Sequence, residues 1–244
     1  MGPYLSWSEH STHNRLVVGS SPTGPTILVR GDTVSLIDTV TQEYENLSYM
    51  SHEQAAWLRD VIMDNEYSSI CELGFYHGKG TAYFASILKE QGFGKVHTFD
   101  RKTNLVKPNI DQVLSKLDLQ ELVTITRAEK CFLWELGKLV EQNSTPIYDL
   151  CYIDGGHDFP TSALAFTLVD KLTAPGGMII FDDTNWNAQR DLPCDYSTIY
   201  PRMSQEESTI AAVNFVCDNI VPRYDYTEIP LAKYDWRVFT KIKT

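Results

Sequence analysis

Acidic residues follow two short apolar runs of the chain. The run "GGMIIFDD" closes on Asp182 and Asp183, and the run "YDLCYID" closes on Asp154, with His157 three positions further on. Carboxylates are costly to bury unless they are paired or bound to a cation. These residue types suit two kinds of chemistry: carboxylates bind hard cations, and a carboxylate or an imidazole accepts protons.

The three aspartates are expected to meet at one edge of a sheet. Apolar runs of this kind indicate buried parallel strands, whose carboxyl ends lie side by side. Asp154, Asp182 and Asp183 would repel one another there unless a positive charge lies among them. A divalent cation with oxygen ligands, Mg²⁺, fits this set, whereas the cysteine- and histidine-rich pattern of a zinc site is missing from the sequence.

A glycine-rich turn follows an earlier apolar run. In "ICELGFYHGKG" the glycines are Gly74, Gly78 and Gly80, which permit left-handed backbone angles and close approach of a ligand. The next helix would offer its N-terminal amides to an anionic group. A tight strand-to-helix turn without a ligand is the alternative. A dinucleotide fingerprint would need its third glycine at position 83, which is Tyr83.

A further acid ends the run "KVHTFD". Asp100 lies at the expected carboxyl end of the second strand, where a carboxylate can accept hydrogen bonds from both hydroxyls of a ribose. A solvated acid or a helix cap is the other interpretation of Asp100. Together with the glycine turn, Asp100 favours a nucleoside-containing ligand.

Strands and helices alternate through most of the chain, which predicts an α/β fold. We expect a Rossmann-like, seven-stranded, mostly parallel sheet with helices on both faces. The predicted strands are 68–74, 95–100, 123–128, 148–156, 176–183, 224–231 and 235–242, and the predicted helices after the first strand are 79–91, 109–119, 131–142, 161–172 and 206–221.

The remaining segments are expected to flank this domain. Residues 1–50 are predicted to form an N-terminal arm that includes a hairpin at 26–38 and makes substrate or oligomer contacts. The main domain is expected to span 51–244. Its polar loop 184–203 contains Trp186 and two tyrosines, which indicates either a lid over a ligand or ordinary packing.

The composition narrows the classes of partner. The formal net charge is -11, so an acidic surface would repel nucleic acid. We expect no membrane segment, since no apolar run approaches about 20 residues. Five scattered cysteines without CxxC spacing, and a start unlike a signal peptide, favour a cytoplasmic protein. A small-molecule substrate and possible homo-oligomers are the expected partners.

The pattern E-x-G-x-x-x-G-x-G, which begins at Glu72, resembles the cofactor loop of class I S-adenosylmethionine-dependent methyltransferases. The resemblance implies that S-adenosylmethionine is the cofactor and that 51–244 is the domain that binds it. It also implies a set of cofactor-binding residues, in which Ala128 matches by position alone. The set comprises Glu72, Gly74, Gly78, Gly80, Asp100, Ala128 and Asp154.

A narrower resemblance covers about 69–185. The motif D-G-x-H at Asp154, followed by the paired acids of the next strand end, is similar to metal-dependent O-methyltransferases of the macrolide-sugar type. The likeness implies Asp154, Asp182 and Asp183 as metal ligands and Asp154 or His157 as the catalytic base. In the structural alternative, Asp182 caps the following turn and His157 is an ordinary packed histidine.

The sequence therefore predicts a S-adenosylmethionine-dependent, Mg²⁺-dependent O-methyltransferase that acts on a natural-product or sugar-like hydroxyl. Alternatives are a metal-free small-molecule N-methyltransferase, or a protein of the same fold with other chemistry, such as a hydroxylase or cyclase. A nicotinamide-dependent oxidoreductase is disfavoured by Tyr83, and a silent scaffold by the retained acids. The sequence does not identify the methyl acceptor.

Overall fold

A seven-stranded sheet organises the residues that the computed structural model describes, which are 35–47, 49–102, 106–231 and 233–243. The strand order is β3-β2-β1-β4-β5-β7-β6; β1 to β5 are parallel, and β7 runs antiparallel to β5 and β6. The predicted fold class is confirmed. The strands are β1 (Ser69–Leu73), β2 (Lys95–Arg101), β3 (Val123–Ala128), β4 (Tyr148–Ile153), β5 (Thr173–Phe181), β6 (Tyr226–Ile229) and β7 (Arg237–Lys241).

Helices cover both faces of the sheet. Within the described residues they are α1 (Leu36–Glu43), α2 (His52–Asp64), α3 (Lys79–Gln91), α4 (Ile110–Lys116), α5 (Phe132–Gln142), α6 (Phe159–Leu172), α7 (Ala188–Asp191), α8 (Tyr196–Ile199), α9 (Gln205–Thr209) and α10 (Ala212–Asn219). Helices α1 to α4 pack on one face and α5, α6 and α10 on the other, each with its own apolar core. None of these helices combines the length and apolar character needed to cross a bilayer.

The alternation of side chains along the central strands explains the two cores. On β1, Ile70 and Glu72 point to the face of α1 to α4, whereas Cys71 and Leu73 point to the face of α5 and α6. Because both faces are covered, the central strands are apolar at nearly every position. Glu72 is therefore a buried charge-bearing group, with 2% of its surface exposed.

The N-terminal hairpin prediction is wrong where it can be compared with the structure. Residues 36–38 begin helix α1, whose first turn is closed by a hydrogen bond from the Ser35 amide to Asp38 Oδ2. The spacing S-x-x-D is a helix-start signal that the apolar run concealed. Helix α1 packs against α3 in the unit Val34–Thr244, and the rest of the hairpin prediction lies outside the described residues.

The predicted helix 206–221 is interrupted. Helix α9 ends before Ile210, whose backbone is extended with φ −93° and ψ 139°, and α10 follows. Two β-branched residues, Thr209 and Ile210, favour extended backbone and account for the break. The loop 184–203 also contains two short helices, α7 and α8, that its polar composition did not indicate.

The hydrogen-bond ladder of the sheet continues one residue beyond the central strands. The amide of Gly74 bonds to Phe99 O at 2.7 Å, that of Asp154 to Leu73 O at 2.9 Å, and that of Asp182 to Ile153 O at 3.0 Å. The residues that follow β1, β4 and β5 are therefore held in one row at the carboxyl edge.

The row leaves no space for a side chain at position 74, which yields a stability prediction. A Cβ on Gly74 would lie 2.2 Å from the Asp154 carbonyl oxygen, and its φ of +94° disfavours other residues. We expect Gly74→Ala to lower the free energy of unfolding by at least about 2 kcal/mol. Chemical denaturation measures this change.

The matched control is Gly137→Ala in α5. No atom lies within 4 Å of the added methyl, so this variant should gain about 0.5–1 kcal/mol of stability. Equal stabilities for the two variants would contradict the packing at the sheet edge.

Candidate active site

A cleft of about 710 Å³ runs along the carboxyl edge of the sheet. One wall comes from the glycine turn and the end of β2, and the opposite wall comes from the acids after β4 and β5. A small cavity of about 30 Å³ continues beneath the glycine turn. Residues from the segment before and within α2 complete the cleft, namely Tyr49, Met50 and Gln54.

Close packing fixes the shape of the glycine turn. A Cβ on Gly78 would lie 2.6 Å from the Ile110 side chain, and one on Gly80 would lie 2.8 Å from Glu72 Oε1. Gly78, with φ +92°, is the N-cap of α3, and the first residues of that helix, Lys79 and Gly80, line the small cavity. The predicted glycines thus have a structural need as well as a position suited to a ligand.

Glu72 lies beneath this turn in a network of hydroxyl groups. Its Oε2 accepts a hydrogen bond from Thr98 Oγ1 at 2.6 Å and another from Thr81 Oγ1. Burial raises the pKa of Glu72 to about 7, because the two hydroxyls only partly offset the loss of water and Asp100 adds repulsion. Glu72 can therefore exchange a proton near neutral pH, and its ionised form can pair with a cation.

Asp100 lines the cleft at the end of β2 and also supports the turn. Its Oδ2 accepts a hydrogen bond from the Tyr76 amide at 3.0 Å. Ala128 is less directly placed than the resemblance implied: it is buried outside the cleft wall, and its carbonyl accepts from the Lys102 amide at 2.8 Å. Lys130 and residues at the start of α5 line that end of the cleft instead.

Both carboxylate oxygens of Asp182 are already engaged. Oδ2 accepts a hydrogen bond from the Tyr152 hydroxyl, and Oδ1 accepts one from the Asp183 amide at 2.7 Å. The Tyr152 ring is buried between Phe84 and Trp236. Burial raises the pKa of Asp182 to about 6, although the Tyr152 bond favours the charged form.

Asp183 breaks the alternation of the strand. Asp182 shares the face of Ile180 and Tyr152, so an extended Asp183 would point to the other face. Its φ is +51°, however, and its carboxylate lies 3.5 Å from His157 Nε2. One ligand atom from each of Asp154, His157 and Asp183 lies within 4.8 Å of the others.

The structure brings together two of the three ligands that the resemblance implied. Asp154 and Asp183 lie in one group with His157, whereas Asp182 is hydrogen-bonded to Tyr152. The physical reason is the alternation of β5, which directs Asp182 toward the Tyr152 hydroxyl and leaves Asp183 to turn toward His157.

Burial and mutual repulsion govern the charges of this group. Burial raises the pKa of Asp154 well above its ordinary value, and the carboxylates of Asp182 and Asp183 raise it further. Burial lowers the pKa of His157, although Asp183 and Asp158 oppose the change. The lowered pKa favours the neutral imidazole of His157, which is the form that can accept a proton.

The turn after Asp183 depends on a residue that the sequence analysis missed. Asp235, between β6 and β7, accepts hydrogen bonds from Thr184 and Asn185, so the capping role considered for Asp182 belongs to Asp235. No local pattern links positions 50 residues apart. Tyr152 and Trp236 surround Asp182. Their sequence pattern did not indicate a site, because aromatic residues in apolar runs are typical of a core.

Aromatic side chains from the loop 184–203 border the acidic end. The rings of His157 and Trp186 are 5.1 Å apart, those of Trp186 and Tyr200 are 6.4 Å apart, and Tyr200 lines the cleft. The loop therefore contributes a wall to the site. Whether it closes as a lid stays a prediction.

Residues 71–184 match the family model described as "Methyltransferase domain". A search of curated protein sequences gave no match. Solved structures resemble the whole domain. The O-methyltransferase from Bacillus cereus in complex with SAH has a TM-score of 0.59 at 20% identity, covering 89% of this chain and 94% of that one.

Two further structures concern natural products. The O-methyltransferase TomG from Streptomyces achromogenes, involved in tomaymycin synthesis and solved with SAM, has a TM-score of 0.59 at 17% identity, covering 89% of this chain and 93% of that one. MycE, from the mycinamycin biosynthetic pathway and solved with Mg, SAH and mycinamycin VI, has a TM-score of 0.53 at 12% identity. The match to MycE covers 85% of this chain but 55% of that one.

The family match and the fold agree with each other. The chain carries a methyltransferase domain at 71–184, and its fold is that of the solved O-methyltransferases. This agrees with the resemblance first drawn from the E-x-G-x-x-x-G-x-G loop.

The raised pKa of Glu72 predicts a pH-dependent effect of Glu72→Gln. Between the ordinary value of 4.5 and about 7, the folded protein retains a proton that the unfolded chain releases. The wild type should therefore lose stability relative to the variant as pH rises through this window. The difference should change by up to about 3 kcal/mol.

Chemical denaturation of both proteins without ligands at about pH 5 and pH 8 measures this change. Glutamine keeps an acceptor oxygen for the two threonine hydroxyls. Glu141→Gln, at an exposed site on α5, is the control and should show no such change with pH. A constant difference between wild type and Glu72→Gln would show that Glu72 is already ionised in the folded state at pH 5.

Proposed function

We propose that this protein is a S-adenosylmethionine-dependent O-methyltransferase of small molecules, and that Asp154 and Asp183 bind a divalent cation, Mg²⁺, next to the acceptor hydroxyl. One observation carries the proposal: Asp154, His157 and Asp183 meet in the same cleft as the glycine turn and Asp100. A methyl donor and an acceptor can therefore share one cavity of about 710 Å³.

The cofactor side of the cleft supports a nucleoside with an amino-acid tail. Asp100 accepts one backbone hydrogen bond at each oxygen, from the Tyr76 amide and from the Arg101 amide, and the remaining lone pairs of this cleft residue can accept from ribose hydroxyls. The amides at the start of α3 suit a carboxylate, and the acids Glu72 and Asp154 suit an ammonium group. S-adenosylmethionine, when bound, supplies a methyl group on a positively charged sulfur.

The acidic side of the cleft fits a hard cation. Asp154 and Asp183 offer carboxylate oxygens at a spacing that bonds of about 2.0–2.6 Å can span, and the rest of the shell of such an ion is commonly water. The burial and repulsion that raise the pKa of both aspartates would be relieved by a positive charge between them. A bound divalent cation lowers the pKa of a hydroxyl in contact with it.

His157 is the proposed proton acceptor. Its imidazole is neutral because burial lowers its pKa, and its Nε2 lies beside Asp183. Asp183 would stabilise the charged imidazolium formed when the proton of the acceptor hydroxyl arrives. The fixed side chains of the cleft place donor and acceptor, which is the main requirement of an in-line methyl transfer.

A natural-product or sugar-like acceptor is the proposed substrate. The acidic cleft disfavours nucleic acid and other polyanions. Aromatic residues at its border, Trp186 and Tyr200, suit the apolar surface of a ring. The likeness to TomG, involved in tomaymycin synthesis, and to MycE, from the mycinamycin biosynthetic pathway, supports this substrate class.

Cofactor identity is tested by binding. In isothermal titration calorimetry, we expect S-adenosylmethionine and S-adenosylhomocysteine to bind and NAD to show no binding. Asp100→Ala should weaken the binding of S-adenosylhomocysteine by about 1–3 kcal/mol, because the ribose hydroxyls lose their hydrogen-bond partner.

Asp100→Asn keeps an acceptor for the Tyr76 amide, and it separates support of the turn from recognition of the ribose. Asp64→Ala, exposed on α2, is the control and should bind normally. NAD binding without any response to the other two ligands would overturn the proposal.

The cation site is tested with Mn²⁺ as the probe, alongside turnover. We expect Asp183→Asn to weaken Mn²⁺ binding at least about tenfold and to abolish methylation of a catechol probe, with EDTA inhibiting the wild type and Mg²⁺ restoring it. His157→Ala should keep Mn²⁺ binding and lose turnover, since His157 is proposed as the base. Asp64→Asn, exposed on α2, is the matched control.

Two outcomes would change this assignment. If His157→Ala loses Mn²⁺ as strongly as Asp183→Asn does, His157 is a ligand rather than the base. If Asp182→Asn loses Mn²⁺ binding while Asp183→Asn does not, Asp182 is the ligand and its bond to Tyr152 rearranges when the metal binds. An aniline probe methylated without any cation would favour the N-methyltransferase alternative.

A further inference from the structure

Asp235 reaches the active site from the loop between β6 and β7. Its Oδ1 accepts hydrogen bonds from Thr184 Oγ1 at 2.7 Å, from the Asn185 amide at 3.0 Å and from Asn185 Nδ2 at 2.6 Å. The Asp235 carbonyl also accepts from the Thr184 amide at 3.3 Å. The two residues that follow Asp183 are thus tied to one carboxylate.

The loop that carries Asp235 is itself anchored. The neighbouring Trp236 is buried, and its ring packs 5.7 Å from Tyr152 and 5.9 Å from Trp57. The Tyr234 hydroxyl donates to the Glu53 carbonyl at 2.9 Å, which ties the same loop to α2. Asp235 therefore acts from a fixed position, as a positioning group must.

The turn held by Asp235 determines the backbone conformation of Asp183 and the direction of its carboxylate. Asp183 adopts a left-handed φ of +51°, which is uncommon for residues other than glycine, although aspartate adopts it more readily than most. The surrounding structure must maintain such a conformation, and the bonds from Asp235 to Thr184 and Asn185 act on the adjoining residues. Without this turn, strand alternation would direct Asp183 away from Asp154.

The alternative is that Asp235 only stabilises the fold and has no effect on the cation site. This alternative explains the structure less well. Asp235 brings a further carboxylate to a cleft that already contains Asp154, Asp182 and Asp183. A neutral side chain could accept similar hydrogen bonds at lower electrostatic cost. A second negative charge close to Asp183 is useful where a positive ion is to be bound.

We propose that Asp235 is a positioning residue of the cation site: it holds the turn after Asp183 so that the Asp183 carboxylate faces Asp154. This inference rests on the proposed function. It gives the β6–β7 loop a role in the cation site, although this loop lies far from Asp183 along the sequence.

The test measures Mn²⁺ and S-adenosylhomocysteine affinities of the intact protein by calorimetry. Asp235→Ala should weaken Mn²⁺ binding about tenfold or more, as expected when a residue that orients a metal ligand is removed. It should leave the affinity for S-adenosylhomocysteine unchanged. Asp235→Asn, which keeps one acceptor oxygen, should lose less. Lys233→Ala, at an exposed position of the same loop, is the control and should bind Mn²⁺ as the wild type does.

Thr184→Val provides a second variant in case Asp235→Ala does not fold. It removes the buried hydroxyl that donates to Asp235, and it should weaken Mn²⁺ by a smaller factor. Mn²⁺ affinities within twofold of the wild type for the folded variants would overturn the proposal, as would equal losses of Mn²⁺ and S-adenosylhomocysteine. A wild type that binds no Mn²⁺ would instead refute the cation site of the proposed function.

Discussion

The register of the three central strands is the constraint on which the site depends. Leu73 of β1 pairs with Ile153 of β4, which pairs with Phe181 of β5. The amides of the next residues continue the ladder, so Asp154 and Asp182 are aligned by backbone bonds before any side-chain interaction is considered. A slip of one residue would exchange the faces of the sheet and separate these acids from Glu72.

Alignment at this edge crowds carboxylates in a partly buried space. Glu72, Asp154 and Asp182 all have raised pKa values, and burial is the largest cause in each case. Hydroxyl donors stabilise Glu72 and Asp182, yet they do not cancel the loss of water. A site of this kind favours positively charged ligands, because each one restores the ionised form of the acids and is bound more tightly in return.

The sequence predicted best those features that short segments determine. Apolar runs and helix periods located the five parallel strands, and the glycine spacing located the turn before α3. Features that depend on distant residues escaped prediction. The hydrogen bond of Asp182 is to Tyr152 on another strand, and the turn after Asp183 is held by Asp235 across the β6–β7 loop. Local competition explains the other differences, since Ser35 and Asp38 start a helix where apolar residues resembled a strand.

The two sides of the cleft belong to separate parts of the chain. The proposed cofactor side is built from β1, β2 and the start of α3, whose glycines tolerate no added side chain. The proposed acceptor side includes Trp186 and Tyr200 from a surface loop and Asp235 from the connection between the antiparallel strands β6 and β7. Surface loops accept insertions and substitutions far more readily than a packed strand end does. Changes in these two connections would therefore alter the proposed acceptor side of the cleft and leave the packed residues of the proposed cofactor side in place.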